Sequence, residues 1–195
     1  MASLQKMLRL ATLAGAMLCT AAAHGGVLRL VPTVTTTAAG TSFDLALTVS
    51  DVADLYSFDV SLTYNPGLVS FTSVTEGDFL SGAGTTFFVP GSDDGAGEIA
   101  FSGATLIGAI PGATGGGTLL RFHFDALSAG VAAFDFSDFL FVDSSFGEIA
   151  MDTVPASVTI TAEPGGEVPV PGSMWLMALG GGMLWWSQAG RRLRG

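Results

Sequence analysis

The chain has 195 residues, 49% hydrophobic and 12% charged, and its charges are unevenly distributed. All seventeen acidic residues lie between Asp44 and Glu167, and the region between the two ends of the chain has only two basic residues, Arg29 and Arg121, so that region carries a formal charge of −15. Such a surface repels phosphate backbones, which excludes nucleic-acid binding, and the single cysteine, Cys19, lies in the N-terminal segment, which excludes a disulfide or thiolate site in the central region.

The N-terminal segment has the three parts of a secretory signal peptide. Lys6 and Arg9 provide positive charge, a short apolar segment follows, and small residues precede the sequence HGG. Signal peptidases cleave after a small residue of this kind. We therefore expect residues 1–23 to be a signal peptide that is cleaved between Ala23 and His24, and the protein to be exported.

From residue 24 to residue 162 the hydrophobic pattern has a period of two. Four segments alternate apolar and polar residues, which indicates half-buried strands and not amphipathic helices. The expected core-facing residues are Phe43, Leu45, Leu47 and Val49; Phe58, Val60, Leu62 and Tyr64; Leu120, Phe122, Phe124 and Ala126; and Val154, Ala156, Val158 and Ile160. Further strands are expected near 27–31, 68–74, 98–102 and 131–136.

Turn-forming residues separate these strands. Asn65, Pro66 and Gly67 lie between two of them, and the segments PGSDDGAGE and IPGATGGG have the composition of glycine-rich loops. About eight or nine strands at this spacing predict an all-β fold, an antiparallel two-sheet sandwich. A closed barrel is the alternative, because it would hide the same alternating faces.

One polar stripe has the residue types of a catalytic group. Arg121, His123 and Asp125 share one face of a predicted strand. A serine hydrolase needs a nucleophile within reach of the histidine, and no Gly-x-Ser-x-Gly segment precedes a helix here. We interpret the three residues as a polar outer stripe and do not expect the protein to be an enzyme.

The best candidate for a metal site is a glycine-rich loop. Asp93 and Asp94 lie in this loop and Glu98 follows it, so three carboxylates are close in sequence. Their spacing departs from the Asp-x-Asp-x-Asp-Gly pattern of calcium loops. No cofactor is therefore expected, and calcium at Asp93, Asp94 and Glu98 is kept as the alternative.

The segment LYSFDVSLTYNPGLVSFTSVTEGDFL resembles the cohesin domain, in which a strand ends in Tyr-Asp-Pro and is followed by a short apolar strand and an acidic-glycine turn. A second segment, GTLLRFHFDALSAGVAAFDFSDFLFVD, is similar to the family's long strand, Ala-Gly turn and following strand pair. Asn65 replaces the commoner aspartate and should preserve the turn, because both side chains cap it. The matching residues are Tyr64, Asn65, Pro66, Leu68, Val69, Phe71, Val74, Gly77, Asp78 and Phe79.

The resemblance implies a nine-stranded jelly-roll sandwich that binds the dockerin modules of other secreted proteins. By the same resemblance, Ser57 and Asp59 are the candidate partner-binding residues, and the alternative is that Asp59 is an ordinary solvated carboxylate. The ligand would be a dockerin-like protein or a polysaccharide, or the domain would be a biofilm matrix protein without a discrete partner. The three tryptophans lie near the C-terminus, so stacking on sugar would require Tyr56 or a loop phenylalanine.

The C-terminal region has three parts in sequence. We expect residues 163–172 to be a Pro/Gly linker and residues 173–195 to be a transmembrane-like hydrophobic helix that is closed by arginines. These parts resemble the PEP-CTERM sorting signal, which an exosortase recognises at the inner membrane, and Val170 stands where glutamate is most frequent. The resemblance implies transit through the inner membrane to the cell surface or beyond. The matching residues are Val168, Pro169, Val170, Pro171, Arg191, Arg192 and Arg194.

Overall fold

A computed structural model of the protein describes residues 25–163. The predicted signal peptide with its Ala23–His24 cleavage site, and the predicted sorting tail from Val168 to Arg194, lie outside the described residues. The described elements are β1 (Gly26–Val31), β2 (Val34–Ala38), β3 (Ser42–Thr63), β4 (Val69–Glu76), α1 (Asp78–Ser81), β5 (Thr86–Asp93), β6 (Glu98–Leu106), β7 (Ala113–Ala126), β8 (Gly130–Asp143), β9 (Met151–Val154) and β10 (Ala156–Thr161). Within residues 25–163, no helix has the length and hydropathy to cross a bilayer.

The strands form two facing sheets that share β3. Sheet I has the order β4–β7–β3–β1–β9 and contains residues 42–50 of β3. Sheet II has the order β5–β6–β3–β8–β10–β2 and contains residues 57–63 of β3. Because each sheet ends in two edge strands, the fold is the predicted sandwich and the closed barrel is wrong.

β3 turns from one sheet to the other between Asp51 and Asp54. Both residues have positive φ angles, 59° and 60°, which aspartate tolerates better than most residues. The two ends of β3 lie at the same pole of the sandwich, because Phe43 and Tyr64 both pack against the ring of Phe124. The turn therefore defines the opposite pole.

The carboxylate of Asp54 holds three segments together at this turn. Its Oδ1 accepts a hydrogen bond from the Gly112 N–H at 2.6 Å, and its Oδ2 accepts one from the Ser144 hydroxyl at 2.6 Å. The Ser144 hydroxyl and then the Gly112 amide stabilise the anion and lower the pKa of Asp54. The loops before β7 and after β8 are thus fixed to the turn of β3.

We expect Asp54→Ala to lower the melting temperature, because it removes the acceptor for both loops. Since the folded-state pKa lies below the unfolded one, the stabilisation is present above about pH 4 and is lost as the pH falls through the folded-state pKa. Asp54→Asn keeps one acceptor oxygen and tolerates the positive φ, so this variant should lower the melting temperature less than Asp54→Ala does. Calorimetric melting from pH 2 to pH 7 tests this. If the melting temperature of Asp54→Ala fell as steeply with decreasing pH as that of the wild type, the prediction would be wrong.

The prediction of purely antiparallel sheets is wrong at the two ends of the domain. β1 pairs with β9 in parallel, with Gly26 opposite Met151, and β2 pairs with β10 in parallel, with Val34 opposite Ser157. The first and last segments of the domain each pass from sheet I to sheet II and run side by side. The alternation of apolar residues defines which face is buried and carries no information about strand direction.

The predicted core residues lie between the two sheets and are buried, apart from Phe43 and Val154, which are half-buried. Phe124 of sheet I is the centre of an aromatic cluster. Its ring centroid lies 4.9 Å from that of Phe134 in sheet II, 5.6 Å from Tyr64 and 5.8 Å from Phe71. Aromatic pairs at such distances add stability beyond the area that they bury. This cluster joins the two sheets at the pole where β3 begins and ends.

Candidate partner-binding face

The outer surface of sheet II combines one carboxylate with exposed apolar side chains. Asp59 lies on β3, with Leu140 of β8 opposite it on one side and Gly103 of β6 on the other. Around it, Phe87 is 61% exposed, Phe101 65% and Leu140 44%. Ser57 and Asp59 border a shallow depression with Phe87, Phe101 and Gly103. We call this surface, formed by Ser57, Asp59, Phe87, Val89, Phe101, Gly103 and Leu140, the Asp59 face.

A backbone irregularity in β6 places Phe101 on this face. Phe101 has a φ of 56°, and the register of β3 with β6 shifts between Val60 and Leu62. The buried Ser61 hydroxyl accepts a hydrogen bond from the Phe101 N–H at 3.2 Å. Irregularities of this kind redirect a side chain to the other face of a sheet. The phenylalanine that simple alternation would bury is therefore presented to solvent.

Asp59 is half-buried among these apolar neighbours. Burial, and then the negative charge of Asp138, raise the pKa of Asp59 above its ordinary value. The neighbouring Ser57 hydroxyl donates a long hydrogen bond of 3.4 Å to the Ala104 carbonyl. The structure thus brings both predicted partner-binding residues to one surface, where an anion is held in a partly desolvated position.

We expect Asp59→Asn to raise the melting temperature at pH 7. The folded-state pKa is raised, so stability falls as the pH rises through the unfolded and then the folded pKa, and the ionised carboxylate is destabilising at neutral pH. Asp152→Asn, on the exposed edge strand β9, is the matched control and should change the melting temperature less. Scanning fluorimetry at pH 4 and pH 7 tests this, and an equal or lower melting temperature for Asp59→Asn at pH 7 would refute it.

The carboxylates of the candidate calcium loop accept hydrogen bonds from the protein. Asp94 Oδ1 accepts from the backbone N–H groups of Ala96, Gly97 and Glu98 at 2.8–3.0 Å. These amides, with that of Glu98 first, lower the pKa of Asp94. Asp93 Oδ1 accepts from the Tyr64 hydroxyl at 2.7 Å. Within residues 25–163, no three His, Cys, Asp or Glu side chains form a group suited to a metal ion, and calcium at this loop remains only the alternative to the expectation of no cofactor.

The stripe of Arg121, His123 and Asp125 lies on the outer side of sheet I. His123 Nδ1 contacts Asp44 Oδ1 at 2.6 Å, and Asp125 accepts a hydrogen bond from the Ser42 hydroxyl at 2.7 Å. These partners lie on the neighbouring strand β3. The polar atoms of His123 and Asp125 therefore take part in cross-strand pairs. The geometry agrees with a polar outer surface.

The turn after β3 has the geometry that its sequence predicts. Asn65 Oδ1 accepts a hydrogen bond from the Gly67 N–H at 2.9 Å, and the Asn65 carbonyl accepts from the N–H groups of Leu68 and Val69. Asparagine thus caps the turn in the same way that aspartate would. The expectation that Asn65 preserves this turn is confirmed.

Comparison with known protein families gives a match that covers the two-sheet domain. The model of the cohesin domain matches residues 29–161, about two thirds of the chain. The chain belongs to the cohesin family. Cohesin domains are non-catalytic binding modules, and the match spans all but the first few described residues of the two-sheet domain. No curated protein sequence matches the chain.

Solved structures of other cohesins share the fold of this cohesin at low sequence identity. A Clostridium thermocellum cohesin, solved in a type I cohesin–dockerin complex, is 15% identical, with a TM-score of 0.59 over 70% of this chain and 99% of that chain. The sixth cohesin of Acetivibrio cellulolyticus scaffoldin B, in complex with a dockerin, has a TM-score of 0.57 at 15% identity, covering 70% of this chain and 99% of that chain. A non-cellulosomal cohesin of Archaeoglobus fulgidus is 12% identical, with a TM-score of 0.55 over 70% and 91% of the two chains.

Proposed function

We propose that this cohesin binds a dockerin-like protein module through the Asp59 face. The observation that carries the proposal is the placement of a half-buried carboxylate among exposed apolar side chains, with Phe101 and Leu140 on either side of Asp59. Protein interfaces combine such apolar anchors with a few polar groups that fix orientation. Two similar structures, from Clostridium thermocellum and Acetivibrio cellulolyticus, are cohesin–dockerin complexes and support the same class of partner.

The physical role of Asp59 is to supply one directional contact within an apolar surface. Its raised pKa reflects an anion that is poorly solvated in the free protein. A partner that donates hydrogen bonds or a positive charge to this carboxylate would replace the missing solvation. Phe87, Phe101 and Leu140 would supply the buried apolar area. The ionised Asp59 carboxylate would therefore have a lower free energy in a complex than in the free protein, and the apolar side chains around it would be shielded from water.

An affinity capture from the secreted proteins of the source organism tests the proposal. We expect the full chain to retain a saturable protein with dockerin-like sequence, and Asp59→Ala to weaken its binding at least tenfold. Arg121→Ala, on the outer side of sheet I, is the matched surface control and should leave binding unchanged. Equal capture by all three proteins would refute the assignment of the face, and capture of polysaccharide alone would refute a protein partner.

We also propose that the protein is exported and sorted to the cell surface or the extracellular matrix. The support comes from the sequence of the two ends: a signal peptide before His24, the Val-Pro-Val-Pro motif, and the terminal arginines. An exosortase-type enzyme at the inner membrane would process the tail. Changing Arg191, Arg192 and Arg194 to serine should alter retention or processing, and unchanged fractionation of this variant would count against the sorting signal.

A further inference from the structure

A groove with a volume of about 760 Å³ opens at the pole where β3 turns from sheet I to sheet II. Its walls come from three segments: β3, the loop between β6 and β7, and the loop after β8. Its volume lies in the range of small-ligand sites, about 300–1,000 Å³. The residues that line it are different from those that border the depression on the Asp59 face. The groove is thus a separate candidate site.

Two aromatic side chains form an angled wall of the groove. The ring centroids of Tyr56 and Phe146 lie 6.2 Å apart with an angle of 64° between the ring planes. The Tyr56 hydroxyl donates a hydrogen bond to the Gly108 carbonyl at 2.6 Å, which fixes the orientation of its ring. The Phe146 side chain is 79% exposed. The groove therefore offers flat apolar surface to a ligand before any ligand binds.

The loop that presents Phe146 has an unfavourable backbone conformation. Phe146 has a φ of 63°, which is rare for a bulky residue. The Asp143 carboxylate holds this loop by accepting hydrogen bonds from the N–H groups of Ser145 and Gly147, each at 2.8 Å. Because the Phe146 side chain is mostly exposed, its packing contributes little stability to offset this strain. Such strain is typical of residues retained for function.

The polar groups of the groove suit hydroxyl groups without negative charge. Ser144 Oγ donates its proton to Asp54, so its lone pairs are free to accept hydrogen bonds from a ligand. The Tyr56 hydroxyl likewise donates to Gly108 and keeps its acceptor capacity. Among the described residues that line the groove, Asp54 is the one charged side chain. Its negative charge would repel carboxylate or sulfate groups.

We propose that this groove binds a neutral saccharide. A pyranose ring has an apolar C–H face, which fits against the rings of Phe146 and Tyr56, and peripheral hydroxyls, which fit the acceptor oxygens of Ser144 and Tyr56. Sugars stack on aromatic rings in this manner because both surfaces are flat and apolar. The inference goes beyond protein binding at the Asp59 face and is independent of it. The chain would then have one site for a protein and one for a polysaccharide.

Affinity gel electrophoresis of the full chain tests this proposal. The probes are three soluble neutral polysaccharides, dextran, galactomannan and hydroxyethylcellulose, with anionic alginate for comparison. We expect at least one neutral polymer to retard the wild type, and Phe146→Gly to raise the dissociation constant at least tenfold. Glycine suits the positive φ, so this variant should keep its fold, and Phe146→Asn provides a second replacement that tolerates the same φ.

Phe87→Ala is the matched control, because it removes another largely exposed phenylalanine, 61% exposed against 79% for Phe146, from the Asp59 face. This variant should be retarded as strongly as the wild type. Retardation by none of the neutral polymers, or by alginate alone, would overturn the proposal. Equal retardation of Phe146→Gly and the wild type would also overturn it, because the ring of Phe146 would then make no contribution.

Discussion

Replacing Phe124 with alanine should lower the free energy of unfolding by about 3–5 kcal/mol, the usual cost of deleting a buried phenylalanine ring. The ring of Phe124 packs against four other aromatic rings from both sheets, and the side chain is 1% exposed. Its deletion leaves a cavity that neither sheet can fill without moving. Because a domain of this size has a total stability of about 5–15 kcal/mol, urea unfolding should show a large shift in midpoint.

Phe146→Ala makes the same chemical change at an exposed position and is the matched control for Phe124→Ala. Phe146 is 79% exposed, so its replacement creates no internal cavity. Phe124→Leu should fall between the two variants, because leucine fills most of the ring's volume. If Phe124→Ala and Phe146→Ala cost the same free energy, the aromatic cluster would not be the centre of the core.

Replacing Gly103 with alanine should destabilise the domain by about 1–3 kcal/mol or more, the range for groups forced into packed space. A Cβ at Gly103 would overlap the carbonyl oxygen of Phe58 and lie 2.9 Å from the Cα of Asp59. Both are backbone atoms of the paired strand β3, so no side-chain rotation relieves the overlap. The strands β3 and β6 would have to separate beneath the Asp59 face. The variant should therefore lose both stability and partner binding.

Gly130→Ala is the matched control for this substitution. A Cβ at Gly130 would meet the Leu68 side chain at 2.8 Å, and the end of that side chain can move. Thermal melting should therefore show a clearly larger loss for Gly103→Ala than for Gly130→Ala. Equal melting temperatures for the two variants would contradict the close approach of β6 to β3. Changes in nuclear magnetic resonance chemical shifts confined to β3 and β6 in Gly103→Ala would show that the distortion lies between these two strands.

The parts of the fold that depend on local alternation could be predicted from the sequence. The alternating segment 43–50 indicates its buried face because side chains of a strand point to opposite sides in turn. Asn65 identifies its turn for a similarly local reason, since its side chain bonds to an amide two residues away. These features need no knowledge of distant residues. Sheet pairing and strand direction depend on contacts between segments far apart in the chain, and alternation does not encode them.

β5 shows why the sequence does not reveal every strand. Its second half contains Pro90 and Gly91, and the composition of PGSDDGAGE therefore predicts a loop. β5 is an edge strand, where a proline is tolerated because one side of the strand forms no ladder hydrogen bonds. The position of a strand at the edge of a sheet is decided by the tertiary fold. The loop prediction is therefore wrong for residues 90–93, which belong to β5, and holds for residues 94–97.

The candidate sites were only partly predictable for the same physical reason. Ser57 and Asp59 face outwards as alternation predicts, but Phe101 would be assigned to the core by its alternation with Ile99. The positive φ at Phe101 turns its side chain outwards and leaves Ser102 buried. Phe146 is exposed by a loop whose conformation depends on Asp143. An isolated aromatic residue in a polar, glycine-containing loop was the available sequence signal.

The parallel terminal strands place the groove and the last described residues at opposite poles of the domain. β9 begins beside Gly26 at the pole of the groove, and β10 ends beside Ala38 at the other pole. The chain therefore leaves the sandwich on the side away from Phe146, after crossing its length of about 35 Å. A support attached beyond this end of the domain would lie on the side opposite the groove. A long polymer could then reach the groove without passing between the domain and its support.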